Sequence, residues 1–139
     1  MMIGIIDYGL GNLSSVFNAF RTINCNAEIF DNPKNIQKYT HLVLPGVGSF
    51  EAGMKALKAK NWPDGINEHV KLKKPLLGIC LGMQLLFTTG EEYGVHKGLG
   101  LINGVVKKMK INGKLKLPHV GWNNLVSIKL HPLFKDIKK

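Results

Sequence analysis

Pro75-Leu76-Leu77-Gly78-Ile79-Cys80-Leu81-Gly82 is the stretch that decides the fold. An apolar run reaches a cysteine held between glycines, and a helical pattern opens behind it. The run lacks the alternation of a half-exposed strand, so it reads as a strand buried on both faces of a parallel sheet. A cysteine on such a strand-to-helix turn stands where the serine stands in the G-x-S-x-G nucleophile elbow. The turn forces a strained backbone on the nucleophile, and the flanking glycines remove side chains that would crowd it. The thiol then sits at a helix N-terminus, where the positive end of the dipole favours the thiolate. The Leu81 N–H is placed to donate to an oxyanion. For an isolated cysteine a structural role would be the plainer reading, since free cysteines are commonly buried. The paired glycines and the strand–turn–helix context favour the nucleophile.

Working outward, Met2 to Asp7 is another unbroken apolar run, closed by the Gly-rich turn Tyr8-Gly9-Leu10-Gly11-Asn12. The spacing of Leu13, Val16, Phe17 and Phe20 predicts a helix over 12–23. Strands are expected at 27–30, 41–44 and 75–79, and helices at 50–60, 64–72 and 81–89. Strand–helix alternation of this kind means an α/β domain with a mainly parallel sheet. After Gly98 the texture changes. Segments 99–111 and 114–128 read as added antiparallel strands, with Asn103-Gly104 and Asn112-Gly113 as hairpin turns. No linker or repeat interrupts the chain, so residues 1–139 read as one domain. The third strand ends in Pro45-Gly46-Val47-Gly48-Ser49. Ligands of parallel sheets bind beyond the carboxyl ends of the strands, and a Gly-rich turn there can offer N–H groups to an oxyanion. A plain βα turn is the simpler reading of that segment alone. Gly9-Leu10-Gly11 is a weak dinucleotide fingerprint, because Ser14 replaces the third glycine.

Composition narrows the function. Hydrophobic residues make up 45% of 139, which excludes a disordered tail. No apolar run is long enough for a membrane helix, and the N-terminus lacks the basic region of a signal peptide. Cys25 and Cys80 make no disulfide framework, so a cytoplasmic protein is expected. The formal net charge is +10, yet among nineteen basic residues only Arg21 is an arginine. Arginine is the residue of bidentate base and phosphate recognition, so nucleic acid is not an expected partner. A lysine-biased surface is the plainer reading. No His/Cys grouping has the spacing of a metal site, and no metal is expected.

Four motifs occur in order: Asp7-Tyr8-Gly9-Leu10-Gly11-Asn12-Leu13, Pro45-Gly46-Val47-Gly48, Gly78-Ile79-Cys80-Leu81-Gly82-Met83-Gln84 and Pro118-His119-Val120-Gly121-Trp122-Asn123. The third resembles class I glutamine amidotransferases in general. Together they resemble the glutamine amidotransferase subunit of imidazole glycerol phosphate synthase, from Met1 to the His131–Phe134 segment. The resemblance implies a flavodoxin-like sheet with helices on both faces, added antiparallel strands, and C-terminal strands that residues 1–139 do not include. An apolar sheet edge left open in this way predicts poor stability and aggregation of these residues alone.

The resemblance also implies a chemistry, with no cofactor. Cys80 attacks the side-chain amide of glutamine. The oxyanion is held by the Leu81 N–H and, after a rearrangement of the Pro45–Gly48 loop, by Gly48 or Val47. Ammonia leaves, and a glutamyl thioester is hydrolysed. Gln84 and Glu92 match positions that hold glutamine, and a carboxylate such as Glu92 suits an α-ammonium group. Ammonia passes to a TIM-barrel synthase (cyclase) subunit in a heterodimer serving histidine biosynthesis, with Asn12 and Trp122 at the interface. Core packing is the plain alternative for Trp122. The family's general base lies in a late His-x-Glu motif. Residues 1–139 contain none, and neither His119 nor His131 takes its place. These residues therefore supply the nucleophile and not its base, and no stand-alone ammonia release is expected of them. Two alternatives stand beside this reading: a catalytically dead subunit that only binds the synthase, and a paralogue supplying ammonia for another amidation, such as that of surface sugars.

Overall fold

The computed structural model describes residues 1–111, 117, 118, 120–124 and 134. The chain forms two compact units, Met1–Lys108 and Met109–Lys139. All the elements that follow belong to the first. They are β1 (Ile3–Ile6), α1 (Leu13–Thr22), β2 (Ala27–Phe30), a 3-10 helix (Pro33–Lys38), β3 (His41–Leu44), α2 (Phe50–Ala59) and α3 (Trp62–Lys71). Then come β4 (Leu76–Gly78), α4 (Leu81–Leu85), β5 (Phe87–Gly90), β6 (His96–Lys97) and β7 (Ile102–Val106).

The main sheet has the order β2-β1-β3-β4 and is parallel throughout. Side chains alternate across it with the period of two that a strand imposes. Ile3, Ile5 and Val43 pack against Leu13, Val16, Phe17 and Phe20 of α1. Ile6, Leu42 and Leu44 point the other way, to Phe50, Met54 and Leu57 of α2, Trp62 and Ile66 of α3, and Leu81 and Leu85. All four residues of β1 are buried, as its unbroken apolar run requires. Asn12 caps α1 by accepting from the Ser15 N–H at 3.2 Å, and Ser49 caps α2 by accepting from the Ala52 N–H at 3.4 Å. The order places a topological switch between β1 and β3, and ligands of open α/β sheets bind outside such a point.

Residues 81–89 are not one helix. The helix stops after Leu85, and Phe87-Thr88-Thr89-Gly90 forms β5. Aromatic and β-branched residues favour a pleated strand over a further helical turn. The added sheet has the order β6-β5-β7 and is mixed: β6 is antiparallel to β5, and β7 is parallel to it. Asn103-Gly104 is therefore no hairpin turn. It lies inside β7 as a bulge, where the register shifts between Phe87 and Thr89. The Thr88 hydroxyl bridges the gap, donating to the Ile102 carbonyl at 3.3 Å and accepting from the Gly104 N–H at 3.4 Å. The expected turn at Asn112-Gly113 and most of segment 114–128 lie outside the described residues.

His69 ties α3 to the start of β4. It is buried, and its Nε2–H donates to the Pro75 carbonyl at 3.1 Å. Burial holds the imidazole below its ordinary value of 6.5; the Pro75 bond opposes this, and Lys74 and His41 add to it. The folded protein thus keeps His69 neutral where the unfolded chain takes up a proton. The resulting stability is full above about pH 6.5 and is lost as pH falls. Urea titrations at about pH 7 and pH 5 should show a lower midpoint at the acid end. His69→Leu should reduce that difference and cost about 1–3 kcal/mol at neutral pH, because Pro75 loses its donor.

Candidate functional site

Three segments leave the carboxyl ends of the parallel strands: Asp7–Asn12 after β1, Pro45–Ser49 after β3, and Cys80 after β4. Cys80 has φ 54° and ψ −120°, a strained backbone for a residue with a side chain, and its side chain is exposed. The elbow rests directly on the end of β3. The Ile79 N–H donates to the Leu44 carbonyl at 3.0 Å. A Cβ on Gly82 would run into that same carbonyl oxygen, and one on Gly78 would lie 2.5 Å from the Met83 Cα. Both glycines are thus required by space, as the sequence pattern predicts. Leu81 is the first residue of α4, so its N–H has no acceptor within the helix. The helix behind the thiol is only five residues long, so its dipole is that of little more than one turn.

A cavity of about 560 Å³ opens over Cys80. Gly48, Leu81, Gln84 and Glu92 share its wall, so the expected nucleophile, substrate residues and one loop glycine come together. Val47 does not line it; its side chain is half exposed to solvent. Gly48 has φ 101°, and a Cβ there would meet nothing, so conformation rather than space calls for glycine. Glu92 is held in place: its Oε2 accepts from the Phe50 N–H at 2.8 Å, at the N-terminus of α2. A carboxylate is favoured there by the helix dipole. Glu91, Lys107 and Lys108 add both signs of charge to the wall. No histidine lines the cavity among the described residues, and no group of three metal-ligating side chains occurs among them. Asn12 and Trp122 are both exposed.

Tyr8 is the residue that sequence reasoning missed. It was legible as part of a Gly-rich turn and of the first of the four motifs, with no role of its own, although a large aromatic ring is out of place in such a turn. The ring is 2% exposed, and its Oη has no hydrogen-bond partner among the described residues. A Cβ on Gly46 would run into this hydroxyl, and would also lie 2.9 Å from the Gly82 N and 3.1 Å from the Leu81 Cβ. The hydroxyl, the loop after β3 and the elbow therefore converge on one point. Burial, and after it the charge of Cys80, pushes the phenol up to about 12.

A cysteine elbow over a charged cavity, on a parallel sheet of this order, defines a class. The chain belongs to the class-I glutamine amidotransferase family, which it matches over residues 4–139. Within that family it is 48% identical over 139 residues to the imidazole glycerol phosphate synthase subunit HisH of Sulfurimonas denitrificans, covering 98% of this chain and 67% of that protein. It is 50% identical over 137 residues to subunit HisH 1 of Campylobacter jejuni, covering 98% of this chain and 68% of the relative. The fold is similar to a crystal structure of a glutamine amidotransferase, with a TM-score of 0.65 at 19% identity over 76% of this chain and 55% of that one. The chain thus spans about two thirds of the length of the relatives it matches.

The two kinds of glycine predict different losses. Gly82→Ala forces the elbow off β3 and should cost more than about 3 kcal/mol, abolishing cooperative unfolding in a marginal domain. Gly48→Ala meets no atom and should cost about 1–2 kcal/mol of backbone strain alone. Thermal melts of the two variants check the order.

Proposed function

We propose that the chain is a glutaminase subunit that passes ammonia to a cyclase subunit making imidazole glycerol phosphate. The observation that carries this reading is Cys80, strained and exposed on its elbow, facing one cavity with Gln84 and Glu92. The Cys80 Sγ attacks the γ-amide carbon of glutamine. The negative oxygen that forms lies beside the Leu81 N–H, with a second donor from the Val47–Gly48 backbone. Glu92, anchored by one oxygen, presents its carboxylate to the α-ammonium group, and Gln84 bonds the polar end of the substrate. The carbon–nitrogen bond breaks, ammonia leaves, and water hydrolyses the thioester to glutamate. The leaving nitrogen needs a proton, and the His-x-Glu pair that supplies it in the resembling family does not occur in residues 1–139. Asn12 and Trp122 meet the cyclase subunit.

An activated γ-ester of L-glutamate tests the nucleophile separately from that base, because its leaving group needs no proton. Mass spectrometry should find a glutamyl adduct on Cys80 and not on Cys25. Cys80→Ala should remove it. Glu92→Gln should raise the ester concentration needed about ten- to a hundred-fold, the worth of a charge-assisted bond. Equal labelling of the two cysteines would sink the reading. In a pull-down, the cyclase subunit should be retained by the wild-type chain and lost with Asn12→Ala/Trp122→Ala. Retention without any Cys80 adduct would favour a subunit that only binds.

A further inference from the structure

We infer that Tyr8 is a positioning residue that latches the loop after β3 in its oxyanion-binding form, its hydroxyl donating to the Gly46 carbonyl. The inference rests on the glutaminase reading and names a part which that reading leaves unassigned. A trans peptide points its N–H and its C=O in opposite directions. If the Val47 N–H is to face an oxyanion in the cavity, the Gly46 carbonyl must turn to the other side. That side is buried: Pro45 and Gly46 are inside, whereas Val47 and Gly48 are exposed. The buried polar group beside it is the Tyr8 hydroxyl, which occupies the space a Cβ on Gly46 would need and has no partner among the described residues.

A buried hydroxyl with no partner costs stability and calls for an explanation. Phenylalanine would fill the same space without that cost. In the present conformation Gly48 lines the cavity, Val47 does not, and no hydrogen bond joins the hydroxyl to Gly46. The latch is open here, and closing it gives the hydroxyl an acceptor and the oxyanion its second donor. The phenol, ordinarily protonated at neutral pH and pushed further up to about 12 by burial, has its proton to donate. No bond is made or broken in this step beyond the hydrogen bond itself.

The test compares two reactions of Cys80 in the protein as it is made in its own cells. Acylation by the activated γ-glutamyl ester passes through an oxyanion; alkylation by iodoacetamide does not. Tyr8→Phe should slow acylation about ten-fold, the worth of one hydrogen bond, and leave alkylation unchanged. Its melting temperature should hold or rise, since an unpaired buried hydroxyl has gone. Placing 4-aminophenylalanine at position 8 restores a donor and should recover acylation. Equal rates of acylation in wild type and Tyr8→Phe would overturn the inference, as would a parallel loss of both reactions or no recovery with the amine. A wild-type chain acylated no faster than free cysteine would overturn the glutaminase reading itself, and this inference with it.

Discussion

Everything at the site depends on one backbone-on-backbone contact, where the elbow lies on the end of β3. The Ile79 N–H bonds the Leu44 carbonyl, and Gly82 sits so close to that oxygen that no side chain fits. Hydrogen bonding alone would allow a looser approach. The missing Cβ of Gly82 lets α4 begin against β3, and this turns Cys80 outward into a conformation that costs backbone energy. Buried Leu81 and Leu85 hold the short helix down on Phe50 and Met54. A five-residue helix is not stable by itself, so the packing of its apolar face maintains the strain at the nucleophile.

The parallel sheet was legible because Ile3–Ile6, Leu42–Leu44 and Leu76–Leu77 are apolar runs with glycine or proline close behind, while β2, interrupted by Glu28, was marked by the Asp31-Asn32-Pro33 stop. No alternation confused Ile3–Ile6 or His41–Leu44, and the apolar face of α1 had the helical period. The elbow was legible for the same reason: Gly78 and Gly82 are where space demands them. The added sheet was not. Phe87-Thr88-Thr89 continues the helical pattern of Leu81–Leu85 closely enough to hide the break, and its strand character comes from pairing with β7, fifteen residues on in register from Phe87 to Ile102. Asn103-Gly104 carries a turn signal because Gly104 adopts φ 145°; a bulge uses that freedom as readily as a hairpin does.

Site chemistry divides along the same line. Cys80 and Gln84 could be named from a motif and Glu92 from the family resemblance, and the structure brings them to one cavity. The way Glu92 is held could not be read from sequence, since its partner is the Phe50 N–H, forty-two positions away. That bond makes α2 part of the site. The N-terminus of α2 fixes the carboxylate, and Ser49, the cap of the same helix, ends the Gly-rich loop. Movement of the loop is thereby confined to Gly46–Gly48, between a buried strand end and a capped helix.

The site therefore has one rigid half and one adjustable half. The elbow is fixed by contacts that leave no room for a methyl group. The loop is the reverse: a side chain at Gly48 would meet open space, and Val47 is exposed. A nucleophile gains from rigidity, because its attack geometry must be held within a fraction of an ångström. An oxyanion donor that stays aimed into an empty cavity would leave its carbonyl and its N–H poorly satisfied between turnovers. An adjustable loop avoids that cost, provided that something holds it once it turns. Among the described residues, an unspent side-chain group pressed against the loop is the hydroxyl of Tyr8. It comes from the end of β1, the strand beside β3 at the switch point, so the strand order of the fold itself delivers it.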